Sequence, residues 1–139
     1  MKTSFVETVT IDSGISGTRV LFFGAIHGDE LCGPVALRRV VEKLTSGELK
    51  LLTGSATFVP VANPKAYASN TREVKENLNR VFKKTVSPNS YEQELANELT
   101  SLVDYHDVLL DIHSSFVPAP SHVFVDYPTE SNLAFARAL

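Results

Sequence analysis

The segment Gly24-Ala25-Ile26-His27-Gly28-Asp29-Glu30 sets an imidazole and a carboxylate three residues apart, directly behind an apolar run. A turn at a strand end can aim both at one point, and nitrogen with oxygen at about 2.0–2.2 Å is a donor set that Zn²⁺ accepts. The same two residues also suit a solvated loop. A second segment, Leu109-Leu110-Asp111-Ile112-His113, closes another apolar run. The two-residue strand period puts Asp111 and His113 on one face, and ionisable groups there are costly unless partnered. His113 as a third metal ligand answers that need; a hydrogen-bonded histidine at a strand terminus answers it equally well. A third cluster, Arg72 followed by Asn77-Leu78-Asn79-Arg80, lies in a polar stretch. One guanidinium there can grip a carboxylate through two parallel hydrogen bonds with an amide adding a third. Another can polarise a carbonyl and stabilise its oxyanion. A solvated basic loop is the plainer alternative.

These residues need a scaffold, and the apolar pattern supplies one. Residues 5–11 are rich in β-branched types and read as a strand closed by Ser13-Gly14. Residues 18–26 form an almost continuous apolar run, as in a strand covered on both faces. Residues 34–44 carry a helical stripe of Val35, Leu37, Val40, Val41 and Leu44, with Pro34 in the first turn and Gly47 beyond the end. Residues 55–61 read as a strand ended by Asn63-Pro64. Residues 63–90 read as a long loop with short helical pieces, a length that is usually functional in a compact domain. Ser90-Tyr91-Glu92-Gln93 has the pattern of a capping box ahead of a helical stripe. Residues 108–113 and 122–126 are expected as strands, and residues 129–139 begin a helix. Strands alternating with helices predict a mixed α/β fold with a partly parallel sheet flanked by helices. Ligands in such sheets gather beyond the carboxyl ends of the strands.

Composition narrows the classes. The 139 residues fit one domain, and 43% hydrophobic with 21% charged residues supports a packed core. A formal net charge of −3 gives no basic excess for a phosphate backbone, so nucleic acid is not an expected partner. The longest apolar run, residues 20–26, is far short of a membrane span of roughly 20 residues. The first residues lack the apolar stretch of a secretory signal. One cysteine, Cys32, excludes an intrachain disulfide and reads as a buried, inert thiol. A soluble cytoplasmic protein is the expectation.

Taken together, Gly-x-His-Gly-Asp-Glu, Asn63-Pro64, Arg72 with Asn79-Arg80 seven residues on, and Asp111-x-His113 resemble the succinylglutamate desuccinylase/aspartoacylase family, a branch of the zinc carboxypeptidase-like hydrolases. The resemblance runs from about Arg19 to Ser114. It implies a carboxypeptidase-like fold and one Zn²⁺ per chain held by His27, Glu30 and His113. It implies Arg72 as the residue that polarises the scissile carbonyl, with Asn79 and Arg80 gripping the substrate carboxylate. Asn77 and Asp111 would orient the ligands from behind. The implied reaction is hydrolysis of the amide bond of a small N-acyl amino acid or a related carboxylate.

Two departures stand out. Relatives commonly carry aspartate at the position of Asn77, whose amide oxygen can accept from an imidazole N–H but brings no charge. The family's general-base glutamate lies well beyond the third ligand, and the sole glutamate after His113, Glu130, does not match its motif. The chain is therefore expected to be a single zinc-binding catalytic subdomain, truncated relative to the family and without its base. An uncovered sheet edge would then favour homo-oligomers. A zinc carboxypeptidase acting on peptides and an inactive zinc- or small-molecule-binding module are the competing readings. His106 and His122 are expected to be structural.

Overall fold

The strand Arg19–Gly24 (β2) is the axis of the molecule. In the computed structural model, which describes residues 5–115, 117–118 and 120–139, it is flanked by Ser55–Val59 (β3) and Val108–Ile112 (β4), both parallel to it. Val9–Asp12 (β1) adds antiparallel to β3, giving the order β1-β3-β2-β4. The sheet is thus mixed and partly parallel. Cys32–Thr45 (α1), Pro64–Ser69 (α2), Tyr91–Tyr105 (α3) and Glu130–Ala138 (α4) are its helices, with a 3₁₀ turn at Leu78–Arg80.

Strand alternation sorts the core into two layers. Leu21 and Phe23 of β2 and Val59 of β3 pack with Leu95, Ala96 and Leu99 of α3 and with Leu78. Phe58 and Ala56 point the other way, against Leu37 of α1, with Phe22 stacked on Phe58 at 4.9 Å between ring centroids. Because β2 has helices on both faces, it reads as a continuous apolar run. Full burial of a side chain such as Phe23 or Phe58 contributes roughly 1.5–3 kcal/mol.

Two expected strands differ. β1 begins only at Val9, because the amides of Phe5 and Val6 donate to the Glu98 carboxylate on α3 at 3.0–3.3 Å and draw the preceding segment off the sheet. Residues 122–126 form no strand. β4 ends the sheet among the described residues, and a strand exists only through a ladder partner; Phe124 instead stands 84% exposed with His122 edge-on to its ring. Cys32 is exposed rather than buried, its thiol 3.6 Å from the His113 carbonyl.

His106 ends α3, where its ring lies 2.6 Å from the Leu102 carbonyl through Nδ1 and 2.8 Å from Thr57 Oγ1 through Nε2. It pins the helix to the sheet. Among the described residues, no helix is long and apolar enough to cross a membrane.

Candidate metal centre

Register decides what meets at the carboxyl end of the sheet. Gly24 pairs with Ile112, so the segments leaving β2 and β4 emerge side by side. Gly33 lets α1 press into that junction: a Cβ there would sit 3.0 Å from the Ile112 carbonyl and 3.1 Å from the Gly24 Cα. Ala25 takes a left-handed φ of 49°, a conformation that costs an L-residue energy and here turns the chain toward His27. Gly28 then packs so tightly on α2 that a Cβ would lie 2.1–2.5 Å from the backbone of Ala66 and Tyr67. Its amide donates to the Arg72 carbonyl at 3.3 Å, tethering the polar loop to the turn.

His27, Glu30 and His113 converge with one donor atom each, all within 4.8 Å of one another. Glu30, 4% exposed, accepts from His27 Nδ1 at 2.8 Å on Oε1 and from His113 Nδ1 at 2.9 Å on Oε2. The Ser114 amide donates to Oε2 at 2.8 Å and Arg72 Nη1 to Oε1 at 3.1 Å. Burial acts to raise the Glu30 pKa, but the Ser114 amide and the two rings outweigh it and hold the carboxyl below its ordinary value. The outer nitrogens are held too. Asn77 Oδ1 lies 3.2 Å from His27 Nε2, and Asp111 Oδ2 lies 2.8 Å from His113 Nε2. The Asp111 hydrogen bond chiefly raises the pKa of His113, against partial burial.

The donor chemistry fits a divalent cation. Both rings turn Nδ1 inward and present Nε2 to an oxygen acceptor, the arrangement that fixes a ligating imidazole. Both rings bring Nδ1 within 2.9 Å of the Glu30 carboxylate, and a divalent cation held between these three groups would place positive charge beside that carboxylate. Asp111 Oδ1 is buried without a hydrogen-bond partner, a further acceptor behind His113.

The polar loop divides. Arg72 reaches the centre, with its side chain 45% exposed and so open to a ligand from solvent. Asn79 and Arg80 are exposed on the 3₁₀ turn; Arg80 Nη1 donates to the Asn79 carbonyl and the Asn79 amide to Asn77 Oδ1. The contacts of the described residues bring neither of them onto His27, Glu30 or His113. Glu76 turns away from His27 toward Ser90 Oγ and Gln93 Nε2 on α3. Glu130 opens α4 in an exposed position.

Two groups escaped the sequence reading. Glu92 is 0% exposed, and its Oε1 accepts from the amides of Val74 at 2.8 Å and Lys75 at 3.2 Å. Glu98 captures the N-terminal segment. An acid in the first turn of a helix looks like a response to the helix dipole, so the pattern around Ser90 gave no cue to a contact across 18 residues.

A mixed sheet carrying two histidines and a glutamate at the carboxyl ends of adjacent parallel strands defines a carboxypeptidase-like α/β domain. The family model of the succinylglutamate desuccinylase/aspartoacylase catalytic domain matches residues 16–139, and the chain belongs to that family. It is 34% identical over 77 residues to the succinylglutamate desuccinylase of Pseudomonas paraeruginosa, covering 55% of this chain and 23% of that protein. It is 34% identical over 109 residues to an N-acyl-aromatic-L-amino acid amidohydrolase of Rattus norvegicus, covering 70% of this chain and 33% of that protein. Among solved structures, an aspartoacylase family protein from Mesorhizobium loti superposes with a TM-score of 0.79 at 29% identity, over 96% of this chain and 44% of that one. The chain thus spans less than half the length of each of these relatives.

Proposed function

We propose that the chain is the metal-binding part of a zinc-dependent hydrolase that cleaves the amide bond of a small N-acyl amino acid. The observation that carries this reading is the convergence of His27, Glu30 and His113 within 4.8 Å, with Asn77 and Asp111 behind the two rings. The names of the relatives, a desuccinylase and an amidohydrolase forming a carboxylate, support the substrate class.

His27, Glu30 and His113 would hold the ion. The chemistry Zn²⁺ supplies when bound is Lewis-acid activation of water and of a carbonyl. The residues around it do the positioning. Asn77 and Asp111 keep each ring turned so that Nδ1 faces inward. Arg72, already directed at the centre and half open to solvent, is placed to hold the carbonyl oxygen as negative charge develops on it. Asn79 and Arg80, the exposed second and third residues of the 3₁₀ turn, offer donors for the carboxylate that such a substrate carries. General acid–base help is typically worth about 10²–10⁴-fold, and none of the residues named above is assigned that role.

Elemental analysis of the purified chain, with and without His27→Ala, tests the centre: one zinc per chain that disappears in the variant is expected. Hydrolysis of N-acetyl-aspartate and N-succinyl-glutamate, beside blocked dipeptides, tests the substrate class. Turnover confined to the dipeptides would replace this reading with a peptidase. Arg72→Leu should chiefly lower kcat and Arg80→Leu chiefly raise KM, because the first group's partner charge exists only in the transition state.

A further inference from the structure

The loop that carries Arg72 and Asn77 has little core of its own: between them Glu73, Val74 and Lys75 are exposed. Three side-chain contacts nonetheless fix it to the N-terminus of α3. Glu76 bonds to Ser90 and Gln93, Lys75 Nζ donates to the Asn89 carbonyl at 3.5 Å, and Glu92 accepts from the amides of Val74 and Lys75. Glu92 differs from the other two in being fully buried, with Oε2 lacking any hydrogen-bond partner. A half-satisfied buried carboxylate is a costly way to cap a helix that Ser90 already caps through the Gln93 amide. Its placement makes sense through what lies on either side of the two amides it holds. Two residues before Val74, Arg72 meets Glu30; two residues after Lys75, Asn77 meets His27.

We propose that Glu92 is a positioning residue of the centre: by holding the amides of Val74 and Lys75 it sets where Asn77 and Arg72 stand over His27 and Glu30. The inference rests on the reading of His27, Glu30 and His113 as a zinc site for its functional meaning, but the geometric part is independent of any metal. Glu92 touches neither ring. It acts through the backbone of residues 74–75, and therefore through the acceptor that fixes His27 Nε2.

The test separates position from stability. Glu92→Met fills a similar volume without an acceptor, whereas Glu92→Gln keeps an oxygen for both amides. In the metal-free chain, Glu92→Met is expected to speed amide exchange at Val74 and Lys75 by about tenfold and to shift the ¹⁵N resonance of His27 Nε2; Glu92→Gln should leave both as in the parent. Zinc affinity, read by competition with a chromophoric chelator, should fall about tenfold in Glu92→Met. Asn77→Ala should give a similar loss, and combining the two should add little, since they act on one contact. Glu42→Gln, an exposed change on α1, serves as the control.

Parent-like exchange and ring signals in Glu92→Met would overturn the proposal, as would Glu92→Gln losing as much as Glu92→Met. Should Glu92→Met fail to fold, Glu92→Gln alone decides by whether it retains the parental His27 signal. A parent chain that takes up no zinc would sink the metal reading, while the exchange and ring measurements would still decide the role of Glu92.

Discussion

Among the described residues two glutamates, Glu30 and Glu92, are buried, and they are buried differently. Glu30, in the turn after β2, has both oxygens occupied by four side-chain or backbone donors from three separate segments. Glu92, at the start of α3, has one oxygen bonded to two amides of a single loop and the other bonded to nothing. The donors on Glu30 include two imidazoles, groups that can give up a proton and take a metal in its place. The donors on Glu92 are peptide N–H groups, which cannot. The first region is made for exchange of partners and the second for holding still, and the loop between Arg72 and Asn77 joins them.

The strongest way to break this contrast is to remove each carboxylate in turn. Glu30→Ala should abolish zinc uptake measured by elemental analysis, taking one ion per chain to near none, whereas Glu92→Met should only weaken it.

Next in size is Gly28→Ala. The new Cβ meets rigid α2 backbone at 2.1–2.5 Å rather than a movable side chain, so the turn and the tether to Arg72 must both shift. A loss of about 3 kcal/mol in urea unfolding is expected, with zinc affinity falling alongside.

Asn77→Asp sharpens the comparison in the opposite direction. A carboxylate behind His27 makes that ring match His113, which already has Asp111 behind it, and zinc affinity should rise several-fold in chelator competition.

The smallest effect belongs to a third, exposed carboxylate. Arg19 donates to Asp107 at 2.7 Å and lowers its pKa to about 2 from an ordinary 3.8. A depressed carboxylate contributes stability that is fully present above its unfolded pKa and lost as pH falls through the folded one. Asp107→Asn should therefore leave thermal stability near neutral pH almost unchanged and flatten its decline between about pH 4 and pH 2.

Much of the scaffold was legible because burial leaves a pattern. The run at 18–26 and the stripe on α1 follow from β2 having helices on both faces and from Leu37 and Val41 facing Phe58. Ser90 showed itself by type and spacing, although its Gln93 reaches back to the Asn89 amide rather than to its own. The three candidate ligands were visible as residue types at strand ends, while their meeting depends on the pairing of Gly24 with Ile112, which no local pattern encodes. The same limit explains residues 122–126: alternation describes a side-chain face and is silent about whether a neighbouring strand exists. Glu92 was hidden because its partners are backbone amides, and backbone amides have no sequence. Arg72 and Arg80 look alike in the sequence, but the carbonyl of the first is tethered to the Gly28 amide, and its side chain meets Glu30.

The register between β2 and β4 also has a consequence in time. His27 and Glu30 are local neighbours and can find each other as soon as their turn forms, but His113 bonds to Glu30 across 83 residues. Closing so long a loop is entropically slower than making the local turn. On a growing chain the pair at the turn would wait, one group short of the three, until the fourth strand had been synthesised and had slid into place. Capture of an ion with full affinity would then be a late event, and the rate of its uptake by a refolding chain would serve as a clock for the docking of β4.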